Sequence, residues 1–444
     1  MPRSSNWNLG KGAWALLDLA VATCSAALVP SYWTPISETL REVSTERQLV
    51  YALCYGFSFL VAGEILGLHE AKPMHTWRFR VALAAFAAAG ACMALLLLVY
   101  LIEYQVVGRF ALLKIGGCSV ASLALLRAAI GSLASRSRPR VLALVSEEVG
   151  RELAERVKME NVPIALEDPA ALQKAGGRKV LADFCREHNV DEVVTMRSDR
   201  DQDADIAVVE VMASGARVSD WVDFWERVFT RVPPDYVDES WLARLDLRVR
   251  HPIFHRAKRF IDVLIAILGM IILSPVILLA SIAIVLESGG PVFFSQRRVG
   301  FLGQSFVLHK LRTMRQDAEK EGAKWASEGD VRVTRVGKFL RLSRIDEIPQ
   351  FWNVLKGEMS IVGPRPERPE FVDELTSEIP LWPCRHLLKP GLSGWAQTRF
   401  RYASGVDASK EKLAYDLYYL KNASLLLDLQ IILSTLRSVA KGSR

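Results

Sequence analysis

The 444-residue sequence predicts a membrane-anchored chain in three parts: an amino-terminal α-helical region of four membrane helices, a central parallel-sheet α/β domain, and a carboxy-terminal α+β domain carrying one more apolar helix. Three observations predict it. Half of the residues are hydrophobic, at the upper edge of the globular range. The windows 12–29, 49–68, 81–102 and 110–130 are each apolar over about the 20 helical residues that cross a bilayer. Beyond them, short apolar runs alternate with amphipathic ones, as strands alternate with helices.

The four windows make 1–135 the membrane region. Asp18 interrupts the first and three more follow closely, so the first is not a cleaved leader. Arg3, Lys11, Lys72, Arg78, Arg80, Arg136, Arg138 and Arg140 fall on one side, against Arg41, Arg47 and Arg109 on the other. That bias puts the amino terminus and everything after 130 on the cytoplasmic side. The net charge of +7 is uneven: from Arg248 onward 30 Lys and Arg face 19 Asp and Glu, whereas 26 face 30 before it. A basic last domain suits anionic lipid or phosphorylated small molecules. No helix-turn-helix, zinc-finger or aromatic RNA-binding pattern occurs, so nucleic acid is not an expected partner. The six cysteines show no close pair, which indicates neither a disulfide framework nor a zinc site.

In the central domain, 138–232, strands are expected at 141–145 and 192–196, with helices at 148–159, 179–188, 204–213 and 221–229. Its first strand runs into Val145-Ser146-Glu147-Glu148-Val149-Gly150. One glycine and two acidic residues there are the wrong chemistry for a pyrophosphate, so a Rossmann-like scaffold without a working nucleotide site is expected. A linker is expected at 233–250 and the last domain at 251–444. The apolar stretch 260–287 has Ser274-Pro275 at its middle, where an interior proline predicts a break. Basic residues flank both ends, among them Lys258 and Arg259 before and Arg297 and Arg298 after, so a re-entrant helix-break-helix is expected in place of a fifth crossing.

Chemistry concentrates between Ser343 and Glu367, where Asp346-Glu347 is flanked by Arg341, Arg344 and Arg365. Guanidinium forks match phosphate oxygens, while a carboxylate can hold a metal or attack phosphorus. Pro349 and Gly357 bracket a short helix expected at 349–356, with the acidic pair just before its start. Two strands meeting at Gly300 and Gly303 are expected to project Gln296, Arg297, Lys310 and Arg312 toward a common region. Phe351 and Trp352 read as core anchors. A carboxylate approaching a phosphate diester needs its repulsion neutralised, which points to Mg²⁺ at Asp346 and Glu347 beside the arginines.

The motifs GPVFF at 290–294, KLRTM at 310–314, RLSRIDEIPQFWN at 341–353, VGPRPE at 362–367, KPGLSGW at 389–395 and YDLYY at 415–419 follow one another in order. In these the region from Arg256 resembles the bacterial sugar transferase family, the monotopic phosphoglycosyl transferases; Leu311 departs from the aromatic residue common there. The upstream part resembles that of the long polyisoprenyl-phosphate hexose-1-phosphate transferases, which prime exopolysaccharide or O-antigen assembly.

The resemblance implies that Asp346 attacks the sugar-bearing phosphate of a UDP-sugar, releases UMP and passes the phosphosugar to a polyprenyl phosphate, with undecaprenyl phosphate the expected carrier. It implies that Glu347 helps to bind Mg²⁺, and that Lys310, Arg341 and Arg365 contact phosphate. It places the protein in the bacterial inner membrane with its catalytic domain on the cytoplasmic face. A homodimer enters only from the general prevalence of two-fold symmetry. Two rivals stay open: a membrane glycosyltransferase that releases UDP, and a non-catalytic membrane adaptor.

Overall fold

The computed structural model describes residues 11–27, 45–65, 68, 77–103, 109–134, 139–170, 172, 180–196, 209–237, 239–243, 245, 252–316, 318, 330–400 and 405–440. The chain divides into two compact units, Met1–Val228 and Phe229–Arg444.

The first unit opens with α1 (Lys11–Ala27), α2 (Thr45–Ile65), α3 (Trp77–Glu103) and α4 (Arg109–Ala134), the four expected helices. Each packs on the next and α1 packs on α4, closing the set. Small residues allow the close approach. Ala22, Ala52, Ala87 and Ala91 are fully buried, and a Cβ on Gly56 would stand 2.0 Å from Thr23 Oγ1. Over their described residues, α3 is long and apolar enough to cross a membrane at Leu83–Leu101, and α1, α2 and α4 carry apolar stretches at Ala15–Ala27, Leu49–Glu64 and Leu112–Leu126. All four expected helices form.

Next come β1 (Arg140–Leu144), α5 (Glu147–Met159), β2 (Ala165–Glu167), α6 (Leu181–Glu187), β3 (Glu192–Thr195), β4 (Arg217–Asp220) and α7 (Trp221–Phe229). The strands form a parallel sheet in the order β2-β1-β3-β4, with Leu142 opposite Val193 and Val193 opposite Val218. Leu142, Val193, Leu181, Phe184 and Val211 fill its core. Glu147 and Glu148 occupy the first turn of α5, and Glu147 pairs with Arg151 at 3.2 Å. Of the helix expected at 204–213, the part 204–208 lies outside the described residues and 209–213 is helical.

The second unit contains α8 (Pro252–Ser288), the antiparallel pair β5 (Phe293–Val299) and β6 (Ser305–Leu311), α9 (Arg335–Leu342), α10 (Gln350–Lys356), β7 (Ser360–Val362), α11 (Pro369–Glu378), β8 (Gly391–Ser393), α12 (Trp395–Arg399), α13 (Val406–Asn422) and α14 (Leu425–Ala440). Its opening residues are packed structure. Trp395 Nε1 donates to Thr230 O at 2.9 Å, Val232 N to Ala414 O at 2.9 Å, and the buried Trp241 lies under Lys421. The described part of the expected linker 233–250 therefore packs on the carboxy-terminal domain.

The expected break at Ser274-Pro275 is absent: α8 is helical without interruption over 37 residues. Proline lacks the N–H that would reach the carbonyl four residues back, that of Ile271, and Ser274 Oγ donates to that same carbonyl at 2.8 Å. The hydroxyl replaces the missing donor, so the helix persists through the proline. Over Phe254–Ser288 it is strongly apolar yet only 11% buried, unlike the core helix of a soluble domain. Ile271, Ile272, Leu278, Leu279 and Leu286 are all more than 60% exposed.

Both ends of α8 are tied to this one domain. Near its start, Arg259 donates to Val354 O at 2.5 Å and Leu355 O at 2.7 Å, capping the end of α10. Lys258 meets Asp428 at 2.6 Å, and Asp262 Oδ1 accepts from Ile361 N at 3.1 Å. Near its end, Glu287 accepts from Arg335 N at 2.8 Å and Val336 N at 3.0 Å, capping the start of α9. Ala280 and Ile284 share a buried cluster with Leu311 and Leu340, so Leu311 fills the core in place of an aromatic ring.

Candidate active site

Thr334 caps α9 by accepting from Gly337 N at 2.9 Å, and α9 ends just before Arg344, whose φ of 59° and ψ of 13° are left-handed. That conformation costs a non-glycine residue roughly 1 kcal/mol. It turns the chain into a single 3₁₀ turn, Ile345–Glu347, which buries both carboxylates, Asp346 6% and Glu347 8% exposed. Pro349 stands at the N-cap of α10 and Gly357 ends it at φ 86°, so the expected helix forms one residue later than its predicted start.

Two adjacent buried carboxylates need cations. Arg365 meets Glu347 Oε1 at 2.8 Å, Arg344 at 3.5 Å and Lys310 at 3.6 Å. Burial opposes the charge on Glu347, but Arg365, Lys310 and Arg344 outweigh it and hold this carboxyl well below the usual range. Asp346 is pushed the other way, first by burial and then by the negative charge of Glu347. Burial lowers Lys310 to about 8 despite Glu347 beside it. The pair is thus divided into one carboxylate locked in ionic contacts and one desolvated carboxylate whose buried Oδ1 has no hydrogen-bond partner among the described residues.

Asn353 sets the spacing between the acidic turn and Lys310. Fully buried in α10, it donates to Val307 O at 2.7 Å and Glu358 Oε2 at 2.7 Å, and accepts from His309 N at 3.3 Å. Arg341 donates to Thr313 Oγ1 at 2.9 Å and its charge acts on Asp346. The acidic turn, Lys310, Arg341 and Arg365 therefore come together as expected.

Two other expected residues, Arg297 and Arg312, do not. Side chains alternate faces along a strand. In β5 the pairing of Phe294 with Lys310 and of Gln296 with Leu308 puts Gln296 on the face of Lys310 and the exposed Arg297 on the opposite one. The residue that sequence reasoning missed is Arg298, which the same period of two places beside Gln296; they are bonded at 2.8 Å. Arg312 is spent on the end of α8, donating to Ser288 Oγ at 2.8 Å, Ser288 O at 3.2 Å and Gly289 O. Trp352 is half exposed and not a core anchor, while Phe351 packs against Gly269 of α8, where a Cβ would stand 2.8 Å from its ring.

The donor set suits a hard divalent cation. Contacts to Glu347 among the described residues all fall on Oε1, and Asp346 Oδ1 is an orphaned buried acceptor. No group of three or more His, Cys, Asp or Glu side chains able to hold a metal occurs among the described residues. An ion bound by one or two carboxylates and completed by substrate phosphate is the habit of Mg²⁺.

A model of the family described as bacterial sugar transferase matches residues 253–442, the stretch that builds this site. A putative undecaprenyl-phosphate N-acetylgalactosaminyl 1-phosphate transferase of Bacillus subtilis is 54% identical over 123 residues, 28% of this chain and 69% of that protein. The chain belongs to the bacterial sugar transferase family. The UDP-glucose:undecaprenyl-phosphate glucose-1-phosphate transferase of Caulobacter vibrioides is 42% identical over 184 residues, 41% of this chain and 69% of that one. The UDP-N-acetylgalactosamine-undecaprenyl-phosphate N-acetylgalactosaminephosphotransferase of Aeromonas hydrophila is 46% identical over 217 residues, 49% of this chain. The chain spans about half the length of that relative, at 51%. Within the sugar transferase region lie the acidic turn, Lys310, Arg341, Arg365 and all of α8 beyond its first residue.

Proposed function

We propose that this sugar transferase moves a sugar 1-phosphate from a UDP-sugar to a polyprenyl phosphate, undecaprenyl phosphate by analogy with its relatives, as the first membrane step of a glycan such as an exopolysaccharide. The observation that carries the reading is the division of labour in the acidic turn: Glu347 held by three cations, Asp346 desolvated with its Oδ1 lacking a hydrogen-bond partner among the described residues. A desolvated carboxylate oxygen with no hydrogen bond to break is suited to attack phosphorus. Asp346 oxygen forms a bond to the sugar-bearing phosphorus as the bond from that phosphorus to the bridging oxygen breaks, and UMP leaves with the electron pair. An oxygen of the lipid phosphate then attacks the same phosphorus, breaks the aspartyl bond and forms the lipid diphosphate sugar. Arg365, Arg341 and Lys310 neutralise the oxygens around this phosphorus. Asp346 and Glu347 would hold Mg²⁺, which supplies charge neutralisation on the diphosphate when bound.

The helix-break-helix form expected of α8 is lost, but the same-face placement of its ends is retained in this reading. A crossing helix has its ends on opposite faces of the membrane, and a single water-facing domain cannot bind both. Arg259 and Glu287 cap two helices of one domain, which supports both ends of α8 lying on the same face of the membrane. The acidic turn then sits at the cytoplasmic membrane surface, where a nucleotide sugar and a lipid phosphate can meet.

The test is nucleotide release from UDP-glucose, UDP-galactose and their N-acetylated forms, with Mg²⁺ and undecaprenyl phosphate. UMP is the expected product, and UDP would point to the rival glycosyltransferase chemistry. The rate should also be bell-shaped in pH. Asp346 must be ionised, so activity falls on the acid side at a midpoint above the ordinary carboxylate range. Lys310 must be charged, so activity falls as pH rises through about 8. Guanidinium does not titrate in this range, so Lys310→Arg should remove the alkaline limb. An unchanged limb in that variant would assign it to another group.

A further inference from the structure

Four consecutive carbonyls of the loop after β7 each accept a hydrogen bond. Pro364 O accepts from Gly391 N at 2.9 Å, and Glu367 O accepts from Val299 N at 2.9 Å. Between them, Arg365 O accepts from Arg385 Nη2 at 3.0 Å and Pro366 O from Arg298 Nη1 at 3.0 Å. Pro364 and Pro366 have no N–H, so the loop cannot build a ladder of its own and is shaped from outside. Two of the four donors are guanidinium groups delivered from other elements, one on β5 and one after α11. Each is itself held in place. Arg385 is buried against Asp416 at 2.9 Å, with its guanidinium 4.2 Å from the centre of the Trp382 ring. Arg298 bonds Gln296 at 2.8 Å and lies 3.8 Å from Glu367. Arg365 itself carries the first of these two clamped carbonyls, and its Nη2 reaches Glu347 at 2.8 Å.

We propose that Arg298 and Arg385 are positioning residues: they clamp the carbonyls at and just after Arg365 and so aim its guanidinium at Glu347 and at the diphosphate of the substrate. The proposal rests on the phosphoglycosyl transfer reading above. Neither clamp has to touch substrate. Each acts through peptide planes, since freeing Arg365 O or Pro366 O lets those planes rotate and carries the Arg365 side chain with them. A misplacement of about 1 Å in a group that positions substrate can cost on the order of 100-fold in rate.

A double-mutant cycle on the full chain in membranes separates this from a direct role, using UMP release from wild type, Arg298→Ala, Arg365→Ala and the double variant. Acting through Arg365, Arg298→Ala should lower kcat/KM by roughly 10- to 100-fold in the wild-type background and by less than about 2-fold when Arg365 is already alanine. Equal losses in both backgrounds, or no loss, overturn the proposal. Arg385→Lys, which keeps a cation for the buried Asp416, should follow the same pattern. Hydrogen exchange needs no substrate and gives an independent readout. Peptides containing Val299 and Gly391, whose amides bond this loop, should exchange faster in Arg298→Ala while the rest of the chain does not change. Unchanged exchange there would remove the clamp whatever the assay shows. If the wild-type protein releases no UMP, it is the reaction assignment that fails, and exchange still decides the clamp.

Discussion

Asp346→Asn is expected to reduce UMP release by roughly 10⁴-fold or more, the scale on which removal of a nucleophile acts. An amide of the same shape cannot carry the phosphosugar, so this loss should appear in kcat with substrate binding retained. The same substitution should leave thermal stability unchanged or raise it, because it removes a desolvated charge that repels Glu347. Glu347→Gln should behave oppositely. It strips Arg365, Lys310 and Arg344 of their shared counter-ion and should lower stability by on the order of 2 kcal/mol. Thermal unfolding of the two variants side by side would check the division of roles: equal destabilisation would mean that the two carboxylates share one environment.

Gly363→Ala is the second large effect expected. A Cβ at Gly363 would lie 2.2 Å from Lys389 O and 3.0 Å from Gly391 N, both backbone atoms of the strand connection it packs against. Gly391 faces the same limit, its own Cβ meeting Gly363 N at 2.1 Å, so neither segment can give way without parting β7 from β8. Gly363 N also donates to Ser393 O at 2.9 Å. The clash sits two residues before Arg365, so it should cost about 3 kcal/mol of stability and most of the activity together. Gly117→Ala is the control: a Cβ there meets nothing within 4 Å, and it should be nearly neutral. A folded, fully active Gly363→Ala protein would show that the two strands do not need to approach so closely.

Much of the site was legible because its chemistry is local in sequence. Asp346, Glu347, Arg341 and Arg344 lie within seven residues of one another, and Arg365 follows in a proline-fixed loop. The errors came from geometry that composition does not carry. Arg297 and Arg298 are adjacent and alike, and only the strand register decides which one shares a face with Lys310. Arg312 has the right charge but is captured by the end of α8 before it can reach a substrate. Pro275 signalled a break that Ser274 prevents with one hydrogen bond. In the central domain, β2 and β4 have three and four residues, too short for a period of two to declare itself, whereas β1 and β3 were readable from their apolar runs. The packing of Arg231, Val232 and Trp241 on α13 was hidden because Arg231, with Glu411 and Tyr415 as partners, is buried 180 residues away in sequence from the glutamate.

In the proposed mechanism Asp346 carries the phosphosugar between donor and lipid. Incubating the protein with a UDP-sugar substrate and Mg²⁺ but no polyprenyl phosphate, quenching in acid and mapping peptides by mass spectrometry tests it most directly. A sugar-phosphate adduct is expected on the peptide containing Asp346, absent from Asp346→Asn and discharged when undecaprenyl phosphate is added before the quench. Lipid-dependent turnover to UMP with no adduct at Asp346, or an adduct that persists in Asp346→Asn, would contradict it.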